Sequence, residues 1–309
     1  MKVSPYQIAA FTHAARERSF SRAAAALGVT QSSITQHVAR LEQAMGTKLF
    51  VRRRSGLELT SAAHELFALS DRIRILEQLV NEKIGAYGEL SAGHLSIIAN
   101  APRPSMPIIA AFGRLYPKVE ITFSLYSWAA AVELLHSREV DVAIIADPPA
   151  SADLFALELV SSRLVAIGRA DTSVMRKSRL RLADLADEPL ILPEDGSLTQ
   201  RVVLAKAQKL GLSLTRVIKM TTYPVVKEAV LHDVGTGIAL EDSFFPSRQL
   251  MERPLLDMPE TYRTCIVTPA DKRDLRFIRT FIEFAEAAVS SGARTNMTRK
   301  TARIPATRR

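Results

Sequence analysis

Gln31, Ser32, Ser33, Thr35 and Gln36 place three hydroxyls and two amides within six residues, and Arg40 follows. Hydroxyls and amides both donate and accept hydrogen bonds, which is the chemistry that reads base edges in the major groove of duplex DNA. Arg40 suits a phosphate, while Ile34 and Val38 fall between the polar positions at helical spacing and point inward. Arg52, Arg53 and Arg54 form a second cluster, on an alternating segment around Gly56 that predicts a short basic hairpin. Such a tip reaches the DNA backbone or a narrow minor groove. A third cluster, Asp195-Gly196-Ser197-Leu198-Thr199-Gln200, lies between an apolar run at 190–192 and a helix starting near Leu198. Free amides at a helix start, with the Ser197 and Thr199 hydroxyls, suit an anion; an ordinary N-cap is the alternative. Asn100-Ala101-Pro102-Arg103 follows an apolar strand and precedes a helix, and Arg103 either pairs with a carboxylate or phosphonate or lies on the surface.

Other chemistries are missing from the sequence. The six histidines show no metal-ligand spacing, and neither HExxH, a Walker loop nor GxGxxG occurs. Cys265 has no base beside it and reads as a buried structural thiol; as the single cysteine it also excludes an intramolecular disulfide. No catalytic residue, metal site or cofactor is therefore expected. No run of about 18 uncharged apolar residues occurs and the first 20 residues lack an apolar signal core, so a soluble cytoplasmic protein without membrane association is expected.

The elements that must position these clusters follow from punctuation and period. Ser4 and Pro5 open a helix over 4–17, Ser19 or Ser21 opens a second that Gly28 stops, and Thr30 caps a third that ends at Gly46. Two helices joined by the turn at Gly28-Val29 make a helix-turn-helix candidate, in which the second helix enters the groove. From Thr60, the residues Ala62, Leu66, Leu69, Ile73, Leu76, Val80, Ile84 and Tyr87 recur every three or four positions, close to a heptad seam that suits helix-to-helix dimerisation. After Gly88, short apolar runs alternate with helical stretches and end in a helix over 272–289, which argues for parallel α/β sheets in two lobes.

The charge follows the same division. The chain of 309 residues carries +9. Residues 1–60 hold nine basic and three acidic residues, a net +6; residues 294–309 hold six basic residues and no acid; the stretch between is slightly acidic. A basic head on an acidic body fits a nucleic-acid-binding module attached to something with another task. The tail after Ser290 is polar, basic and aperiodic and reads as disordered, either solvated or an extra non-specific DNA contact.

The stretch 11–66 resembles the N-terminal domain of LysR-type transcriptional regulators. The resemblance is carried by Ser19-Phe20-Ser21, Ala23-Ala24, Leu27, Gln31, Leu41-Glu42, Gly46, Leu49-Phe50, Arg52 and Leu59-Thr60. Segments at 115–121, 141–145, 188–192 and 234–240 are similar to landmarks of that family's effector domain. The resemblance implies an α/β protein with an N-terminal winged helix-turn-helix (1–60), a long linker and dimerisation helix (61–90) and a two-lobed effector domain like periplasmic solute-binding proteins (91–290), before the tail at 291–309. It implies duplex promoter DNA, a small-molecule effector, a second copy of the chain in a dimer or tetramer, and RNA polymerase as partners. The DNA-facing set is then Ser21, Gln31, Ser32, Ser33, Thr35, Gln36, Arg40, Arg52, Arg53 and Arg54. By resemblance Asn100, Pro102, Ser127, Trp128, Ser197, Thr199, Tyr223 and Thr236 line or approach the effector, with Arg103 nearby.

The sequence departs from the family's pattern in places. The family often has Pro at Ser32 or Ser33, Ser at Thr35 and Arg at Gln36, so the operator sequence stays open. The family's Gly at Ala63 is lost, which favours the helix by about 1 kcal/mol. A small polar residue is usual where Trp128 stands; the indole either stacks on the ligand or shrinks the pocket. The body is similar to regulators associated with aminoethylphosphonate utilisation, which points to an anionic effector. The competing expectations are an α/β enzyme tethered to DNA by the same head, and a solute-binding protein.

Overall fold

The computed structural model describes residues 3–53, 56–84, 93–241, 243 and 247–287. Arg54, Tyr87 and the basic tail at 291–309 lie outside the described residues. The chain forms two compact units, one of residues 1–88 with Leu134–Glu139, the other of Glu89–Glu133 with Val140–Arg309.

In the first unit, three helices pack at the front: α1 (Pro5–Glu17), α2 (Phe20–Leu27) and α3 (Gln31–Met45). Each has a side-chain N-cap. Ser4 forms a full capping box with Gln7, Ser19 Oγ accepts from the Arg22 amide, and Thr30 Oγ1 accepts from the Ser33 amide. Gly28 and Gly46 end α2 and α3 in the left-handed conformation that glycine adopts without strain. Ala10, Ala14, Ala23, Ala24, Ile34 and Val38 form the core between them. The small alanines let the helix backbones approach closely. The hairpin β1 (Phe50–Arg53) and β2 (Gly56–Leu59) pairs Phe50 with Leu59 and Arg52 with Leu57.

Helix α4 (Ser61–Ile84) carries two apolar faces. Ala63, Phe67 and Ile75 are buried against the unit. The seam residues Leu69, Ile73, Leu76, Val80 and Ile84 are 61, 47, 61, 57 and 78 % exposed. Between the faces sits Asp71, fully buried, which receives Arg16 at 3.1 Å, Arg74 at 3.0 Å and Arg138 at 3.1 Å. Three guanidiniums around one carboxylate leave no uncompensated buried anion.

The second unit contains β3 (Gly93–Ala99), α5 (Met106–Leu115), β4 (Val119–Leu125), α6 (Trp128–His136), β5 (Val142–Ala146), β6 (Leu154–Arg169), β7 (Pro189–Pro193), α7 (Leu198–Lys209), β8 (Arg216–Met220), α8 (Tyr223–Leu231), β9 (Thr236–Leu240), β10 (Leu250–Pro254) and β11 (Thr261–Pro269). A last helix, α9, covers 276–287 among the described residues. The strand order is β4-β3-β5-β11-β6-β9-β7-β8, with β10 on β6. Parallel pairing holds β4-β3-β5 on one side and β9-β7-β8 on the other. The long strand β6 and its partner β11 run antiparallel between them and belong to both halves.

The sheet is therefore mixed, where the alternation of strands and helices predicted parallel pairing throughout. Strand direction at β6 and β11 is set by chain crossings with no local sequence mark. Strand β10 was missed because Glu252, Arg253 and Pro254 give it neither alternation nor apolar bulk. The final helix starts later than the predicted 272. Lys272 is instead fully buried in a short 3-10 turn, where its Nζ donates to Val140 O at 3.1 Å and to Asp141 Oδ1 at 3.0 Å. Cys265 is buried on β11, and burial pushes its thiol pKa up, as suits a structural thiol.

Candidate functional site

The polar face of α3 is held from its own start. Thr30 Oγ1 accepts from the Ser33 amide at 3.3 Å and lies 2.9 Å from Ser32 Oγ. Ser21 Oγ donates to Gln31 Oε1 at 2.8 Å, and Thr35 Oγ1 donates to Gln31 O at 3.0 Å. Gln31, Ser32, Thr35, Gln36 and Arg40 are exposed and Ser33 is half-buried, whereas Ile34 and Val38 are buried. Gln31, Ser32, Thr35, Gln36 and Arg40 thus lie on the exposed side of α3. Arg52 is exposed on β1, and Arg53 follows it on the same strand.

One support of the hairpin was not visible in the sequence. Arg18 ends α1 in the left-handed conformation at φ 47°, and its carbonyl accepts from the Leu57 amide at 3.1 Å. Gly56, at φ 121°, passes so close that an added Cβ would lie 3.0 Å from that carbonyl. Only glycine fits both the conformation and the approach.

A small candidate pocket, with about 20 Å³ of free space, lies in the second unit. Its lining includes Asn100 after β3, Trp128 at the start of α6, Glu194, Ser197 and Thr199 around the start of α7, and Tyr223 at the start of α8. Five of the nine residues assigned to the effector in sequence thus come together: Asn100, Trp128, Ser197, Thr199 and Tyr223. The other four do not line it. Pro102 O accepts from the Ser105 and Met106 amides and opens α5. Arg103 is half-buried. Ser127 Oγ caps α6 by accepting from the Ala130 amide at 3.1 Å. Thr236 is buried on β9 opposite Leu190.

Trp128 closes one wall. Its Nε1 donates to Ala146 O at 2.7 Å, its backbone amide donates to Glu194 Oε1 at 3.2 Å, and the Arg201 guanidinium lies 5.0 Å from the ring centroid. The indole fills space that a small residue would leave open. Opposite, Thr199 Oγ1 and Tyr223 Oη are 3.2 Å apart. Burial pushes the Tyr223 pKa up, so it stays a neutral phenol. Ser197 Oγ accepts from the Gln200 amide at 3.2 Å, which makes it the N-cap of α7. A helix leaves its first-turn amides without intrahelical partners, and none is found for those of Leu198 and Thr199 among the described residues.

Ala146, Pro193, Glu194, Leu198 and Thr221 also line the pocket and were missed. The acidic pair Glu194-Asp195 beside the turn was the one available signal. Its members differ. Asp195 is exposed, and Lys219 at 2.7 Å, with Gln200, holds its pKa below the ordinary carboxylate value. Burial instead raises that of Glu194. No cluster of three metal-ligating side chains occurs among the described residues, and none of their helices is long and apolar enough to cross a membrane.

A winged helix-turn-helix with an exposed polar face, joined to a two-part α/β body around a small pocket, defines a ligand-responsive DNA-binding regulator. The chain belongs to the LysR family: residues 5–64 match the model of the bacterial regulatory helix-turn-helix protein, lysR family, and residues 88–290 match the LysR substrate binding domain. It is 27% identical over 296 residues to the HTH-type transcriptional regulator BbuR of Bordetella bronchiseptica, covering 92% of this chain and 89% of that one. It is also 27% identical over 244 residues to a RuBisCO operon transcriptional regulator of Allochromatium vinosum, covering 77% and 80%. In fold it is similar to a full-length OxyR variant of Pseudomonas aeruginosa, with a TM-score of 0.72 at 21% identity over 94% of this chain and 95% of that one. The regulatory domain of Synechocystis CcmR, solved in complex with 2-PG, matches with a TM-score of 0.57 at 22% identity over 64% and 97%. The chain is thus a DNA-binding transcriptional regulator with an effector-binding domain. The reading of a DNA-tethered enzyme falls, since this is a family of regulators.

Proposed function

We propose that this regulator acts in the cytoplasm and binds promoter DNA as a homodimer or tetramer. Gln31, Ser32, Ser33, Thr35 and Gln36 face the major groove with Ser21 beside them, Arg40 meets a phosphate, and Arg52, Arg53 and Arg54 reach the backbone or a narrow minor groove. A small acidic effector in the pocket shifts the balance between two arrangements of the body, and with it the engagement of RNA polymerase. The observation that carries this reading is the outward polar face of α3, with Ile34 and Val38 buried behind it.

The exposed stripe of α4 supports self-association, because five large apolar side chains on one helix face are costly to leave in water. Salt-dependent anisotropy titration with the intergenic DNA beside the gene tests the DNA reading. Arg52→Ala is expected to weaken binding to every duplex and to lower the salt slope by about 0.9; an unchanged slope removes Arg52 from the backbone. Sedimentation equilibrium tests the stripe. Replacing Leu69 and Leu76 together by Asp is expected to give monomers, and an unchanged mass would place the interface elsewhere.

A further inference from the structure

Arg138, at φ 64°, stands in the left-handed region just past the end of α6. The amides of Arg138 and Glu139 donate back to Leu135 O and Leu134 O at 3.1 Å each. This is the helix-ending turn whose left-handed residue is usually glycine, and an arginine there is strained. Its side chain holds it in place. The guanidinium is buried, with Nε 3.1 Å from Oδ2 of the fully buried Asp71 on α4. Strain kept by partners distant in the chain marks a position that does more than close a turn. Glu139, next along, has both carboxylate oxygens engaged: Oε1 accepts from Ser137 Oγ at 3.0 Å, and Oε2 accepts from Arg18 at 2.6 Å. Arg18 in turn supports the hairpin β1–β2, because its carbonyl accepts from the Leu57 amide. The turn at 137–139 thus grips α4 through Asp71 and the hairpin through Arg18. By its contacts it belongs to the first unit, whereas α6 itself begins at Trp128 in the second.

We propose that Glu139 and Arg138 are positioning residues for DNA binding. Arg138 anchors the turn to α4; Glu139, set beside it, holds Arg18 and through it the hairpin that carries Arg52 and Arg53. This rests on the reading that the hairpin reaches DNA, and adds what fixes the hairpin for that contact. The Arg18–Glu139 pair is largely open to solvent, with the Arg18 side chain 57% exposed, and such pairs contribute little to folding. Its use is orientation: the Arg18 backbone is itself left-handed at φ 47°, and a fixed side chain limits how far its carbonyl can turn away from Leu57.

Hydrogen exchange followed by mass spectrometry, and fluorescence anisotropy with the intergenic DNA beside the gene, test this on the full chain. Glu139→Ala removes a negative charge, so by charge alone it would tighten DNA binding. It is expected instead to weaken binding by about threefold or more and to speed amide exchange over residues 50–59, with the thermal midpoint unchanged. The double variant Arg18→Glu, Glu139→Arg restores the pair and is expected to return that exchange toward the parent's. Arg138→Gly relieves the backbone and removes the anchor together; it is expected to speed exchange over 50–59 although Glu139 is intact. Equal or tighter binding by Glu139→Ala with unchanged exchange overturns the proposal, while Arg52→Ala still reports separately on the hairpin's contact with DNA. Faster exchange over 50–59 with unchanged binding keeps the clamp and overturns the hairpin's contact. Changes confined to 134–139 in Arg138→Gly remove Arg138 from the clamp. A lower thermal midpoint with faster exchange throughout the first unit would make both residues merely structural and overturn the proposal.

Discussion

The recognition face and the pocket are built in opposite ways. The face comes from one helix, its candidate residues nearly consecutive, exposed, and fixed by hydrogen bonds that reach at most ten residues along the chain. The pocket gathers residues from Asn100 to Tyr223, and its internal contacts span 18 to 66 residues. A local surface can change its side chains without disturbing its support, so the head can be retargeted by substitution. Pocket residues are at once ligand contacts and structural links. Changing them alters the fold's stability along with its specificity.

Three substitutions put that contrast under strain. The largest effect is expected at Asp71, the buried exception within the head's unit. Asp71→Ala removes the buried acceptor that Arg16, Arg74 and Arg138 share and is expected to destabilise the first unit by about 3–5 kcal/mol in denaturant unfolding. A loss near zero would mean that water already screens the cluster. In the pocket, Tyr223→Phe removes the hydroxyl beside Thr199 and is expected to cost about 1–3 kcal/mol in thermal unfolding, because Thr199 is buried as well. If only ligand affinity changed, the pocket would be as separable from its support as the recognition face is.

The smallest effect concerns pH and His13. Burial, with Arg74 and Arg16 nearby, lowers its pKa below 6.5 in the folded state. The unfolded chain therefore takes up the proton first. Its contribution to stability is present above about pH 6.5 and is lost as pH falls below it. Unfolding midpoints followed downward through that range are expected to fall less steeply in His13→Gln than in the parent. Identical slopes would assign the pH dependence to other groups.

The same contrast decides what could be read in advance. Helix α3 was legible because Thr30 and Gly46 punctuate it and Ile34, Val38 and Leu41 mark its inner face. The stripe on α4 was legible by period. Its second, packed face through Ala63, Phe67 and Ile75 was not singled out, nor was the acid Asp71 buried beside it. No local signal marks a charge that will be buried by partners 55 and 67 residues away. In the pocket, Ser197 and Thr199 were found because they sit at a helix start. Glu194 and Thr221 were not, because their convergence depends on strand order. Pro102 and Ser127 illustrate a third case. They stand at helix starts near the site but spend their polar groups on the helices they open.

The shared strands β6 and β11 have a consequence for synthesis. The half built on β3, β4 and β5 needs β11, whose first residue contacting β5 is Thr264. All of β7, α7, β8, α8 and β9 is made between β5 and that residue. On the ribosome, at about 5–20 residues per second, the earlier half waits several seconds or more for its closing strand. Strands β7, β8 and β9 of the later-made half are all complete before that closing strand is made.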